Sequence, residues 1–211
     1  MPRYRLAIFD FDGTLADSLP WFRASFHDVI ARFDLTPVTA EELEGMRGLS
    51  AREIMARLNV SMWQLPAIVS DMRKRKLAAA SETSLFAGIP AMLSDLQRQD
   101  IKTAIVSSDS EASVRQVLGP TARLITRFDC GAAMFGKHWK FRRVARRLGV
   151  KPLETICIGD EIRDIEAAKA AGMDSGAVTW GYALPGALQA ARPTQLFHSI
   201  DEMMRRLTMT N

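Results

Sequence analysis

The chain alternates between short apolar runs that stop at polar turns and longer stretches in which apolar residues recur every three or four positions. The first run, Leu6 to Phe9, stops at Asp10-Phe-Asp12-Gly13-Thr14. Short, continuously apolar and closed by a turn signal, it predicts a buried strand of a parallel sheet. Similar runs stand at Lys102 to Val106, ending in Ser107-Ser108-Asp109-Ser110, and at Thr155 to Ile158, ending in Gly159-Asp160-Glu161-Ile-Arg-Asp164. A weaker one lies near Phe128 to Gly131, and a final strand is expected over Gly176 to Thr179. Helical periodicity fills the gaps at Ala91 to Gln99, Ala112 to Leu118, His138 to Leu148 and Ile165 to Ala171, the last closed by Gly172. An amphipathic helix, Ile200 to Leu207, is expected in the tail. This alternation predicts an α/β fold, a Rossmann-like doubly wound parallel sheet.

Residues 16–84 break the alternation. Trp21/Phe22, Phe26, Val29/Ile30 and Phe33 form one helical face, opened by Ser18-Leu-Pro20. Thr39-Ala-Glu-Glu42 and Ser50-Ala-Arg-Glu53 have the shape of helix starts, the second of a capping box. A longer helix is expected from about Trp63 to Ala80. The core therefore divides into 1–15 and 85–211, with 16–84 as an α-helical insertion. Arg73-Lys-Arg-Lys76, on the last of these helices, reads as a solvated basic face.

Composition adds limits. The 211 residues, 47% hydrophobic and 25% charged, suit one core domain with a small insertion. A net charge of +4 without a basic arm gives no reason to expect nucleic-acid binding. No apolar run approaches the ~20 residues of a membrane span. Met1-Pro-Arg-Tyr-Arg runs straight into the first strand, leaving no apolar targeting region. Cys130 and Cys157, in small or apolar surroundings, suit reduced core thiols and a cytoplasmic location. The oligomeric state has no sequence signal.

The candidate chemistry sits at the ends of the strands, where open α/β sheets gather ligands. Asp10 and Asp12 are close enough to repel unless a cation or shared proton relieves them. Mg²⁺, a hard ion that takes oxygen ligands, is the simplest relief. Ser107 offers a hydroxyl, or a helix cap; Lys137 follows Phe135-Gly136 and offers an ammonium; Asp160 and Asp164 add two more carboxylates, with Glu161 between them.

The string Asp10-Phe-Asp12-Gly13-Thr14-Leu15-Ala-Asp17-Ser18 resembles the first motif of the haloacid dehalogenase-like superfamily, and looks most like its phosphoglycolate phosphatase type. Ser107, Lys137 and the Asp160/Asp164 pair resemble the later motifs in order, although His138 follows the lysine where the family often has Pro. The resemblance implies that 16–84 is a small helical cap closing over the site. It implies a Mg²⁺-dependent phosphatase acting on a small phosphorylated metabolite through an aspartyl-phosphate. Asp10 would be the nucleophile and Asp12 the acid and base; Ser107 and Lys137 would meet the phosphoryl charge. Asp10, Asp12 (through its backbone carbonyl), Asp160 and Asp164 would hold the metal. Thr14, Arg47, Gly48 and Ser108 are the candidate substrate contacts. Ser108 is an alternative to Ser107, and Lys140 to Lys137. A β-phosphoglucomutase-like mutase and a non-catalytic phosphate-binding or regulatory protein remain the competing functions.

Overall fold

A computed structural model of the chain describes residues 3–131 and 136–209. Phe135, expected ahead of the lysine turn, lies outside the described residues, as do Met1, Pro2 and Asn211. Strand β1 (Leu6–Phe9) is followed by a turn and by β2 (Ala16–Asp17). Four helices come next, α1 (Leu19–Arg32), α2 (Ala40–Met46), α3 (Ala51–Arg57) and α4 (Leu65–Ala78). Then β3 (Ser84–Leu85) returns to pair antiparallel with β2. The rest runs α5 (Ile89–Arg98), β4 (Lys102–Ile105), α6 (Glu111–Leu118), β5 (Arg127–Phe128), α7 (Lys137–Leu148), β6 (Thr155–Gly159), α8 (Ile162–Ala171), β7 (Asp174–Val178), α9 (Pro185–Ala190), β8 (Gln195–Phe197) and α10 (Ile200–Thr208).

Among the described residues, six strands form a parallel sheet in the order β5-β4-β1-β6-β7-β8. Side-chain alternation along β1 divides the core. Ala7 and Phe9 pack with Met92, Leu96, Val114 and Met203 from α5, α6 and α10. Leu6 and Ile8 pack with Phe141, Val144 and Ala168 from α7 and α8. Both faces are covered, which is why the central strands read as unbroken apolar runs. The chain travels outward from β1 on one side, then restarts at β6 on the other. The direction therefore reverses beside β1, and its carboxyl end opens into the crevice where such sheets bind ligands.

The insertion has an apolar cluster of its own, Phe26, Ile30, Leu35, Val38, Met46 and Leu58. Its second and third helices start as the spacing predicts, with capping boxes at Thr39/Glu42 and Ser50/Glu53. Both cysteines are free. Among the described residues, no helix is long and apolar enough to cross a membrane.

Three expectations need correction. The strand expected at Gly176 to Thr179 spans Asp174–Val178 and is not the last, because α9 and β8 follow it. β8 is a three-residue edge strand that fully buries only Phe197, so it leaves no apolar run to read. Helix α8 begins at Ile162 rather than Ile165, because the Asp164 carboxylate turns back to accept the Glu161 N–H at 3.2 Å.

Candidate active site

β1 delivers Asp10 directly. The Asp10 N–H still donates to the Ile158 carbonyl of β6 at 2.8 Å, so the backbone is held in the sheet while the side chain leaves it. One carboxylate oxygen accepts the Phe11 N–H at 2.8 Å. The chain then folds back tightly, with the Leu15 and Ala16 N–H groups both donating to the Phe11 carbonyl. Gly13 makes this turn possible at φ +71°, and a Cβ there would run into the Asp160 carboxylate and the Tyr182 ring. Gly13→Ala is expected to cost about 1–3 kcal/mol, from left-handed strain and the clash, measured by urea unfolding.

Asp160, at the end of β6, accepts from the Thr14 hydroxyl at 2.8 Å and the Tyr182 N–H at 2.7 Å. Asp164 lies one turn into α8. Oxygens of Asp10, Asp160 and Asp164 all fall within 4.8 Å of one another, and all three residues are buried. Lys137, from the first turn of α7, reaches into the cluster. Its ammonium sits 2.7 Å from Asp10 and 2.6 Å from Asp164.

The electrostatics follow from this crowding. Burial pushes the Asp10 carboxyl up to about 6, against the pull of Lys137. Burial also raises Asp160, helped by the charges of Glu161, Asp10 and Asp164, to well above the usual carboxylate range. Asp164 goes the other way: burial would raise it, but Lys137 and Arg163 outweigh burial and hold it low. Burial opposes the Lys137 charge too, yet Asp10 and Asp164 raise its pKa and keep it cationic. Asp160 thus carries a burial cost that the nearby Arg163 does not cancel, and the Lys137 ammonium is paired with Asp10 and Asp164 instead. Hard oxygen donors with excess negative charge are what a divalent ion such as Mg²⁺ requires, so the residues present fit the expected metal.

The other expected residues are distributed unevenly. The Asp12 carboxylate lies outside the cluster and pairs with Lys76. Ser107 is buried, and its Oγ accepts the Asp109 N–H at 3.0 Å. Ser108 faces the cavity over the site, but its carbonyl is taken by Arg73 Nε at 2.7 Å. Lys140 points elsewhere, to Asp129 at 3.0 Å and the Cys130 carbonyl. Thr14, expected as a substrate contact, is fully buried and committed to Asp160. Gly48 lies in the turn after α2 and does not line the cavity. Arg47 does line it, but its guanidinium is held by the Tyr182 carbonyl at 2.8 Å, the Gly181 carbonyl at 3.1 Å and Glu44 at 2.8 Å. It fastens the insertion to the loop after β7. Glu161 pairs with Arg163.

The solvated reading of Arg73 to Lys76 holds for Lys74, which is exposed, but not for Arg73 and Lys76. Lys76 is only 4% exposed, paired with Asp12 and set over the Trp21 ring at 5.0 Å. Val69, Met72, Arg73 and Lys76 share one helical face, so two of the cations lie on the apolar stripe. That spacing is the signal sequence reasoning overlooked. Tyr182 was missed outright: its hydroxyl meets Ser18 Oγ at 3.0 Å and its ring meets Phe22 edge-on.

Comparison with known proteins agrees with this geometry. The haloacid dehalogenase-like hydrolase family model matches residues 7–178. A phosphoglycolate phosphatase of Synechococcus elongatus is 29% identical over 203 residues, covering 95% of this chain and 96% of the relative. One of Xylella fastidiosa is 30% identical over 195 residues, covering 84% and 81%. The crystal structure of a predicted phosphatase from Clostridium acetobutylicum superposes with a TM-score of 0.81 at 22% identity, covering 96% of this chain and 97% of that one. The chain belongs to the haloacid dehalogenase-like hydrolase family.

Proposed function

We propose that this hydrolase cleaves phosphate monoesters with a divalent cation, Mg²⁺, held by Asp10, Asp160 and Asp164. The enzyme class is that of its relatives, phosphoric monoester hydrolase. The observation that carries the reading is the Lys137 ammonium between Asp10 and Asp164, with Asp160 as a third buried carboxylate in the same cluster. Such a site is built to receive a dianion and a metal together.

When bound, the ion supplies charge for the phosphoryl oxygens. The chain's own groups do the rest. Asp10, at the mouth of the strand, attacks phosphorus with a carboxylate oxygen. A P–O bond to Asp10 forms as the ester P–O bond breaks. Asp12 gives its proton to the departing alkoxide, then takes one from the water that cleaves the aspartyl-phosphate. Lys137 keeps a fixed positive charge beside Asp10 throughout, and needs no reorganisation to do so. Ser107, whose oxygen already accepts the Asp109 N–H, has its own O–H left to donate to a phosphoryl oxygen. Residues 16–84 act as the cap, fastened over the site by Arg47 and Lys76. Closure of this kind shields an acyl phosphate from bulk water.

Lys76 positions Asp12 from the cap side. Lys76→Met is therefore expected to lower kcat about 10–100-fold with a smaller change in KM, in steady-state phosphate release. The urea midpoint should move little, because Asp12 is 26% exposed and water can replace the lysine.

The test is phosphate release from p-nitrophenyl phosphate and a metabolite panel, with Mg²⁺ and with chelator. The panel includes phosphoglycolate, named for the relatives. The reading requires metal-dependent release and one phosphoryl group on Asp10 after acid quench. Steady release without a sugar bisphosphate excludes a mutase. No release from any ester overturns the phosphatase.

A further inference from the structure

The cavity that reaches Asp10 and Asp12 does not stop at the carboxylates. Its volume is about 340 Å³, and it continues between the helices of the insertion. There it is walled by Trp21 and Phe22 of α1, Ile54 and Met55 of α3, and Ile68 and Met72 of α4. All six are only half-buried. Helix α3 fully buries none of its residues, and α4 buries only Lys76, although both carry apolar faces. An amphipathic helix normally closes its apolar face against a neighbour. Here Phe22, Ile54 and Ile68 touch the insertion's own cluster, yet all six residues also border the cavity.

The cations around this cavity are already engaged. Arg23 pairs with Glu44, Lys76 with Asp12 and Arg163 with Glu161. Arg47 is held by two backbone carbonyls and Glu44, and Arg73 by the Ser108 carbonyl. A second anionic group on a substrate would find no dedicated receptor among them, whereas an apolar group would find aromatic and aliphatic walls.

We infer that the alcohol half of the substrate is apolar: the cavity takes the phosphate ester of an aliphatic or aromatic alcohol, rather than a short acid such as phosphoglycolate. This rests on the phosphatase reading and deepens it. The phosphate end meets Asp10 and Lys137, and the apolar end extends away from them into the insertion. Each methylene that enters the cavity leaves water, so affinity should climb with chain length.

The probe is a series of n-alkylphosphonates from methyl to hexyl, which cannot be hydrolysed, bound to the full chain with Mg²⁺ and followed by calorimetry. The dissociation constant is expected to fall about fourfold per methylene, the ~0.8 kcal/mol of one buried CH₂ group. Ile68→Gln and, separately, Met55→Gln should each reduce that gain. A constant that stays flat or rises with length overturns the inference, as does tighter binding of phosphonoacetate than of butylphosphonate. Because binding is read without turnover, the two readings fail separately. Graded binding without phosphate release removes the phosphatase and leaves the apolar site. Phosphate release with flat binding does the reverse.

Discussion

Asp10→Asn is expected to abolish turnover, lowering kcat by on the order of 10⁴-fold or more, as loss of an attacking group does elsewhere. The amide keeps the volume of the carboxylate and can still accept the Phe11 N–H through its oxygen, so the turn after β1 has no reason to change. Lys137 keeps Asp164 as its partner. Asp10 is also a carboxylate whose charge is disfavoured by burial, as its rise to about 6 indicates. Neutralising it removes that cost along with one ion pair, so the urea midpoint should stay near wild type. The discriminating result is a folded protein with no phosphate release and no acid-stable phosphoryl group. Residual activity within tenfold of wild type would mean that another group attacks.

Lys137→Ala should damage both stability and chemistry. It leaves Asp10 and Asp164 buried with no ammonium between them, and breaking a buried pair costs about 3–5 kcal/mol. Phosphate release should fall on the order of 10³-fold, the loss expected when a fixed charge near the transferring group is removed. Added Mg²⁺ should return part of the lost stability in urea unfolding, because the ion would meet the same carboxylates. On the proposed reading the ammonium and the ion would share one electrostatic task, so an unfolding midpoint that ignores Mg²⁺ would argue that the cluster does not bind it. Lys140→Ala is the control. Lys140 serves Asp129, away from the site, and its loss should leave phosphate release near wild type.

The sheet and the line of strand ends are legible in the sequence because burial on both faces forces continuous apolar runs, and each run must end at a turn. Asp10, Ser107 and Asp160 are visible for that reason. Lys137 is visible because a glycine, at φ +83°, stops the chain just before α7. Less legible is what depends on contacts between distant segments. Thr14 looks like a site hydroxyl, and only its bond to Asp160, 146 positions away, shows that it serves the carboxylate instead. Arg47 looks like a free cation beside a glycine, and only the carbonyls of Gly181 and Tyr182 show it to be a fastener. Lys76 is hidden in a run of like charges, where composition suggests water and only its position on the helical face suggests otherwise. Short edge elements such as β8 leave no pattern, because three residues cannot display a period.

The pairing of Ala16–Asp17 with Ser84–Leu85 has a topological consequence. The whole helical segment departs and rejoins at neighbouring points, so its removal leaves two ends already side by side. A piece joined in this way can be lengthened, trimmed or exchanged without altering the register of any strand in the main sheet. If this segment is the cap of the proposed function, selection could change what the enzyme recognises without touching the carboxylate cluster, and a chimera carrying a relative's segment between these four residues is expected to take on the donor's substrate preferences in a phosphate-release panel.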